Sequence, residues 1–173
     1  LKNKLKLHLR YADTDQMGVI YHPNYFTFYE LGRTGLLKEV GYDYLDFEKD
    51  GIIYPVRDVS SSYLKSMRLG ETCYVYTKLL KVSRVKLTFH HEIRNEEGEL
   101  KSTGQTSIVS VDATSFLPIR MPEEIIEDFK KYNDEIEYFR SVDIKRSDYE
   151  VDEKWFKPNT PEINVEGLPT WMR

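Results

Sequence analysis

The stretch YADTDQMGVIYHPNYFTFYE, residues 11–30, decides how this chain folds and where its chemistry lies. It places Asp13 and Asp15 directly after a strand pattern, turns at a glycine, and begins an aromatic helix pattern at Pro23. The two carboxylates and the imidazole of His22 are groups that serve acid–base or nucleophilic chemistry. The first backbone N–H groups of the predicted helix have no partner within it, so they are available to bind an oxyanion.

A long helix is predicted to follow this loop. Pro23 suits the first helical position, and Gly41 suits the left-handed residue after the last turn. Apolar residues recur around most of the helix, so we expect it to be buried on several sides. Gly32 and Gly35 lower helix propensity, which indicates a close approach to another backbone.

Alternating patterns predict one strand before this helix and four after it. Residues 4–10 alternate leucine with charged side chains, the period of a half-buried strand. Residues 95–98 form a hairpin turn, and a short helix begins at Pro122. One long helix beside antiparallel strands is an α+β architecture. The four later strand patterns cover residues 54–63, 73–80, 86–93 and 101–112.

Composition narrows the function classes. The net charge is −4, with 31% charged residues of mixed sign, so the chain has no overall nucleic-acid signature. No apolar run reaches the length of a membrane helix, and the N-terminus does not resemble a signal peptide. The single cysteine, Cys73, is expected to be a buried strand residue and fits a cytoplasmic location.

The chain divides into a body and an extension. Residues 1–134 are predicted to form one domain, and periodicity fades in residues 135–173. The extension holds too many large apolar residues for a disordered tail, so we expect it to pack on the body or on a neighbouring subunit. The 13 tyrosines also favour an oligomer, because aromatic side chains supply interface area.

The loop resembles the signature of a known family. The chain is similar to hotdog-fold acyl-CoA thioesterases, in particular the 4-hydroxybenzoyl-CoA thioesterase family and its Tol–Pal-associated branch. The resemblance covers residues 3–132. It implies a curved antiparallel sheet of about five strands wrapped around one long helix, with homodimers or dimers of dimers and sites at the interface. The matching block is Tyr11-x-Asp13-Thr-Asp15-x-x-Gly18-x-x-Tyr-His22-x-Asn-Tyr25-x-x-x-x-Glu30.

The same resemblance implies the roles of three residues. Asp15 matches the catalytic carboxylate, as general base or nucleophile. His22 matches the histidine that ends the loop, and its backbone N–H matches the group that polarises the thioester carbonyl. Tyr11 matches a tyrosine usual in this branch, and we leave open whether it packs in the core or contacts substrate. No separate cofactor is expected, because CoA is part of the substrate.

The other acids of this block have structural interpretations. Asp13 is expected to hold the loop through hydrogen bonds to backbone N–H groups. Glu30 is interpreted as a buried or interface acid that pairs with Arg10 or Arg33, with a part in catalysis as the alternative.

Two further groups of residues could bind ligands. CoA carries phosphates, so cations near a sheet edge are candidate contacts: Lys65, Arg68, Arg84, Lys86 and Arg120. The run His90-His91-Glu92 looks like a metal cluster. Adjacent strand residues point to opposite faces of a sheet, so we predict that the run binds no metal.

Acyl-CoA thioester hydrolysis is therefore the function that the sequence favours. Two alternatives stay open: an acyl-ACP thioesterase, which needs a basic patch for an acidic carrier protein, and a non-enzymatic acyl-CoA-binding hotdog regulator. The sequence does not distinguish aliphatic from aromatic acyl groups.

Overall fold

The computed structural model describes residues 3–134, which form an α+β domain as predicted. Five antiparallel strands form the main sheet in the order β1-β4-β5-β6-β3, and β2 pairs with β7 in a small second sheet. The helices are α1 (Asn24–Glu39), α2 (Tyr44–Lys49) and α3 (Glu123–Asp134). The strands are β1 (Asn3–Lys6), β2 (Ile52–Ile53), β3 (Val56–Tyr63), β4 (Cys73–Val82), β5 (Lys86–Asn95), β6 (Leu100–Val109) and β7 (Val111–Asp112).

Helix α1 lies across the inner face of the sheet, mainly over β1 and β4. Its bounds follow the sequence signals: Pro23 caps its start, and Gly41 has a φ of +88° just after its end. A Cβ at Gly32 would lie 2.2 Å from Thr77 Oγ1, and one at Gly35 would lie 2.8 Å from Asn3 Nδ2. The glycines therefore accommodate side chains of the sheet, and the expected backbone-to-backbone approach is wrong.

One side of α1 faces outward in the single chain, contrary to the prediction of burial on several sides. Phe26 is 38% exposed and Leu31 is 45% exposed, whereas the opposite side of the helix is buried. The neighbouring edge strand β3 is also largely exposed along its length. An outward apolar helix side beside an open strand edge is the kind of surface that a second chain covers.

Two apolar clusters fill the space under the helices. One surrounds Tyr29 near the start of α1, and the other joins the end of α1 to α3 through residues such as Phe89 and Phe129. Between them lies His91, which is fully buried and hydrogen-bonded to Thr77 and Thr106, each at 2.9 Å. Burial lowers the pKa of His91 to about 3.

Lowering the pH from 7 to 5 should therefore destabilise the fold through His91. The unfolded chain binds a proton below the ordinary histidine pKa of 6.5, whereas the folded chain does so only near pH 3. We expect the free energy of unfolding to fall by about 2 kcal/mol between pH 7 and pH 5. Urea unfolding at both pH values measures this loss, and His91→Gln should remove most of it. An equal loss in the variant would contradict the assignment.

The structure corrects several predicted boundaries. The strand expected over residues 54–63 begins only at Val56, because Tyr54 and Pro55 lie in the break between β2 and β3. The strand expected over residues 101–112 is split into β6 and β7. Helix α2 was not predicted, although Asp43 caps its first turn by accepting a hydrogen bond from the Leu45 N–H group. An acidic residue at the N-cap position is a sequence signal that could have predicted this helix.

The predicted extension, residues 135–173, lies outside the described residues. No helix within residues 3–134 combines the length and the apolar character that a membrane crossing requires.

Candidate active site

The loop before α1 is a small closed hairpin. Thr14 and Ile20 form an antiparallel bridge, and the Asp15 N–H donates to the Val19 carbonyl at 2.9 Å. The turn is made by Gly18, whose φ of +70° favours glycine. The second arm of the hairpin reaches Ile20, so His22 lies directly before the start of α1.

Asp13 holds this hairpin in place, as predicted. Its carboxylate is buried and accepts hydrogen bonds from the Arg10 backbone N–H and from the Arg10 guanidinium at 2.7 Å and 3.1 Å. The hydrogen bonds from Arg10 lower the pKa of Asp13. The Asp13 carbonyl accepts from the Tyr21 N–H and from the Asn24 side chain, which ties the loop to α1.

Asp15 differs from Asp13 because its carboxylate is only partly engaged. The side chain is half-buried, and its Oδ1 accepts one hydrogen bond from the Met17 N–H at 2.8 Å. Among residues 3–134, no group donates to its Oδ2 and no cation forms an ion pair with it. A positioned carboxylate with a free oxygen is able to take a proton or to attack an electrophile.

The start of α1 supplies a free donor. The backbone N–H groups of Asn24, Tyr25 and Phe26 donate to carbonyls of the preceding turn. The N–H of His22 donates to no group within the described part of the chain. The imidazole itself is exposed and has edge contacts with the rings of Tyr21 and Tyr63. A free N–H at a helix start suits an oxyanion.

The end of β3 and the segment after it support this loop, a feature that the sequence did not reveal. The Tyr63 hydroxyl donates to the His22 carbonyl at 3.2 Å, and the carbonyl of fully buried Met67 accepts from the Ile20 N–H at 2.8 Å. The Arg68 guanidinium lies beside Gly18, since a Cβ built there would be 3.9 Å from its Nη1. These contacts join residues more than 40 positions apart, so no local pattern signals them.

Two residues near the loop are exposed, which excludes one of the interpretations given to each. Tyr11 is 81% exposed, so it does not pack in the core of this chain, and only the interpretation as a substrate contact stays open. Glu30 is exposed, so it is not a buried acid of this chain, and neither Arg10 nor Arg33 binds it; its interpretation as an interface acid stays a prediction. Arg10 pairs with Asp13, and Arg33 hydrogen-bonds to hydroxyl groups, as described below.

The candidate phosphate ligands do not form one patch. Lys65 pairs with Glu99 at one end of the sheet, and Arg68 lies near it beside the loop. Arg84 and Lys86 lie in the hairpin at the start of β5, the opposite end of a strand about 30 Å long. Arg120 forms an ion pair with Glu123. The grouping that we predicted is therefore wrong for a single chain.

The run His90-His91-Glu92 is divided between the two faces of β5, as predicted. His91 is in the core, whereas His90 pairs with Glu92 on the other face at 3.5 Å. The hydrogen bond from His90 lowers the pKa of Glu92 to about 2. Within the described residues, no group of three or more potential ligands is arranged for a metal. Cys73 is buried, and burial raises the pKa of its thiol to about 11, which disfavours a nucleophilic role.

Comparison with known proteins assigns the chain to a family. The sequence profile of the thioesterase-like superfamily matches residues 9–129. The chain belongs to this superfamily. It is 42% identical over 118 residues to YneP of Bacillus subtilis, assigned as an acyl-CoA thioesterase, with 68% of this chain and 86% of that protein covered.

Two further relatives agree. The acyl-CoA thioester hydrolase YbgC of Escherichia coli is 29% identical over 121 residues, which cover 70% of this chain and 90% of that protein. The solved structure of a DHNA-CoA thioesterase from Staphylococcus aureus matches with a TM-score of 0.72 and 37% identity, over 80% of this chain and 92% of that one. These matches confirm the hotdog fold and the thioester hydrolase class that the sequence predicted.

Proposed function

We propose that this thioesterase hydrolyses acyl-CoA at the junction of the hairpin and α1, with Asp15 as the catalytic carboxylate. The proposal rests on two groups of the same hairpin–helix unit that have no partner among residues 3–134: the Oδ2 of Asp15 and the N–H of His22. Acyl-CoA hydrolysis itself follows from the superfamily and from the named activities of the relatives.

The two groups suffice for the chemistry of a thioester. Asp15 takes a proton from water as the oxygen adds to the carbonyl carbon, and the His22 N–H stabilises the oxyanion. The C–S bond then breaks, and CoA leaves as a thiolate, which needs little acid assistance. A general base contributes roughly 10²–10⁴-fold and one oxyanion donor about 10²–10³-fold. Direct attack by Asp15, through an acyl anhydride, is the alternative for the same residue.

Hydroxylated aromatic acyl-CoA is the substrate class that we propose. It is supported by the 37% identical relative, whose name gives DHNA-CoA, a 1,4-dihydroxy-2-naphthoyl thioester, as its substrate. The Tol–Pal-associated branch, suggested by the loop motif, would instead favour short acyl chains. Release of thiol from a panel of aroyl-CoA, alkanoyl-CoA and acyl-ACP substrates decides between these and the carrier-protein alternative. No turnover of any member would leave only the non-enzymatic regulator.

The remaining proposals concern assembly. We propose a homodimer or a dimer of dimers, with the site built from two chains and the extension of residues 135–173 packed on the body or on a neighbour. In such an assembly, CoA phosphates could bind Lys65 and Arg68 of one chain and Arg84 and Lys86 of another. A cytoplasmic location is also proposed, on the basis of the single cysteine.

Replacing His22 with alanine separates the contribution of its imidazole from that of its backbone N–H. The variant keeps the backbone N–H, so we expect a loss of about 10-fold in kcat, smaller than the loss at Asp15. Binding of a non-hydrolysable acyl-CoA analogue should be retained. Steady-state kinetics and calorimetry measure the two quantities. If both are unchanged, the imidazole is only structural.

A further inference from the structure

Arg33 is a buried cation with neutral partners. The residue is 5% exposed, and its side chain extends from α1 to Thr106 of β6. Its Nε donates to the Tyr44 hydroxyl at 2.8 Å, and its Nη1 donates to the Thr106 hydroxyl at 3.4 Å. Among residues 3–134, its Nη2 has no hydrogen-bond partner, and no carboxylate forms an ion pair with it.

Such an arrangement is costly unless another group completes it. A guanidinium has five donors and is always charged, and burying a charge without an acid costs several kcal/mol. An acid was available three residues earlier, because Glu30 lies on the same helix and is exposed. The Arg33 side chain instead turns inward to hydroxyl groups. Its Nη2 is not among the fully buried atoms without a partner, so an oxygen from outside the described residues can reach it.

The position of Arg33 indicates where that oxygen comes from. Thr106 is paired with Val59 of the edge strand β3, and Val59 is 39% exposed, so this part of the core lies next to the open side of the sheet. His91 joins Thr106 to the ring of Tyr29, which stacks on it at 4.8 Å. Arg33 follows His22 by eleven residues, a rise of about 16 Å along α1. Its guanidinium is linked through Thr106 and His91 to Tyr29, which lies only about 10 Å along the helix from His22. This separation is too long for an acetyl group and suits a bicyclic aromatic one.

We propose that Arg33 binds a ring hydroxyl or phenolate oxygen at the distal end of the acyl group, and so selects hydroxylated aroyl-CoA over unsubstituted aroyl-CoA. This inference rests on the proposed function and adds a residue that recognises a substituent of the acyl group. Sites that hydrogen-bond a substrate hydroxyl reject analogues that lack it, because the buried donor is then unpaired.

The test compares matched substrates. We expect the wild-type kcat/KM to be at least about 10-fold higher for 6-hydroxy-2-naphthoyl-CoA than for 2-naphthoyl-CoA. In Arg33→Lys the fork of donors is lost, and in Tyr44→Phe the hydroxyl that orients it is lost, so the ratio should fall to about threefold or less. Tyr42→Phe is the matched control, since its hydroxyl binds Asp128 away from Arg33, and its ratio should match wild type.

A binding measurement makes the test independent of catalysis, and a check of folding excludes variants that are unfolded. Circular dichroism first shows that each variant is folded, and Tyr44→Phe replaces Arg33→Lys if the latter is not. Thermal shifts are then measured with 6-hydroxy-2-naphthoate and 2-naphthoate, and the hydroxylated acid should stabilise wild type more. An unchanged substrate ratio in the folded variants overturns the inference. So does light scattering that shows loss of assembly in Arg33→Lys with selectivity intact, because Arg33 would then bind an acid of another chain.

Different results would contradict the proposed function and the role of Arg33. If wild type hydrolyses no acyl-CoA, the proposed function fails, and the thermal shifts alone judge Arg33. If wild type hydrolyses both naphthoyl thioesters equally well, the function stands and the role of Arg33 is overturned.

Discussion

Replacing Asp15 with asparagine is expected to lower kcat by at least about 10²-fold. The substitution keeps the shape of the side chain and the oxygen that accepts the Met17 N–H, so the hairpin should fold as before. It removes the negative charge, and with it the ability to take a proton from water or to attack the thioester. Release of CoA thiol at saturating substrate measures the loss.

Asp13→Asn is the matched control, two residues away in the same hairpin. Its carboxylate is buried and bound by Arg10, so its loss should lower the unfolding temperature. Asp15→Asn should leave the unfolding temperature nearly unchanged. A folded Asp15→Asn variant with a kcat near that of wild type would show that another residue carries the reaction.

Labelled water separates the two roles left open for Asp15. In a single turnover in ¹⁸O-water, direct attack forms an anhydride, and its hydrolysis at the aspartyl carbonyl puts label into the Asp15 side chain. A general base leaves Asp15 unlabelled and puts the label only into the released acid. Mass spectrometry of the peptide that contains Asp15 reads out the result.

A charge on the open edge strand should remove both assembly and activity. Val59 is 39% exposed on β3, beside the outward side of α1, and we expect Val59→Asp to convert an assembled protein into monomers. Because the proposed site is built from two chains, kcat/KM should fall by more than about 10²-fold. Light scattering and the hydrolysis assay on the same samples test both effects.

Leu80→Asp is the control for this experiment. Leu80 is 38% exposed at the irregularity of β4, on the other side of the sheet from β3, so it matches Val59 in exposure without lying on the edge strand β3. The control should stay assembled and active. A wild-type protein that is monomeric and active at assay concentration, or a monomeric Val59→Asp variant with full activity, would contradict the interface site.

The fold could be predicted where local chemistry dominates. The alternation of β4 and β5 matches their buried and outward faces, and Pro23 and Gly41 mark the ends of α1. The prediction failed where a short-range break interrupts a pattern, as at Pro55. The exposed side of α1 shows another limit, because an apolar pattern does not say whether its own chain or a second chain covers it.

The candidate site also has residues that a local motif identifies and residues that only the tertiary structure brings together. Asp15 and His22 lie within eight residues of each other, so one motif identifies both. Tyr63 and Met67 support them from the far end of β3, and Arg33 meets Thr106 only because the helix lies on the sheet. Contacts of this kind depend on tertiary packing. For the same reason, Lys65 and Lys86, which the sequence analysis grouped as phosphate contacts near one sheet edge, lie at opposite ends of the sheet.

A crystal structure of the Asp15→Asn variant with bound acyl-CoA tests the central claim most directly. The account predicts a thioester carbonyl oxygen within hydrogen-bond distance, about 2.7–3.2 Å, of the His22 backbone nitrogen. It also predicts that the side chain of residue 15 faces the carbonyl carbon, directly or through one water. A thioester bound elsewhere on the chain, with no contact to the start of α1, would contradict it.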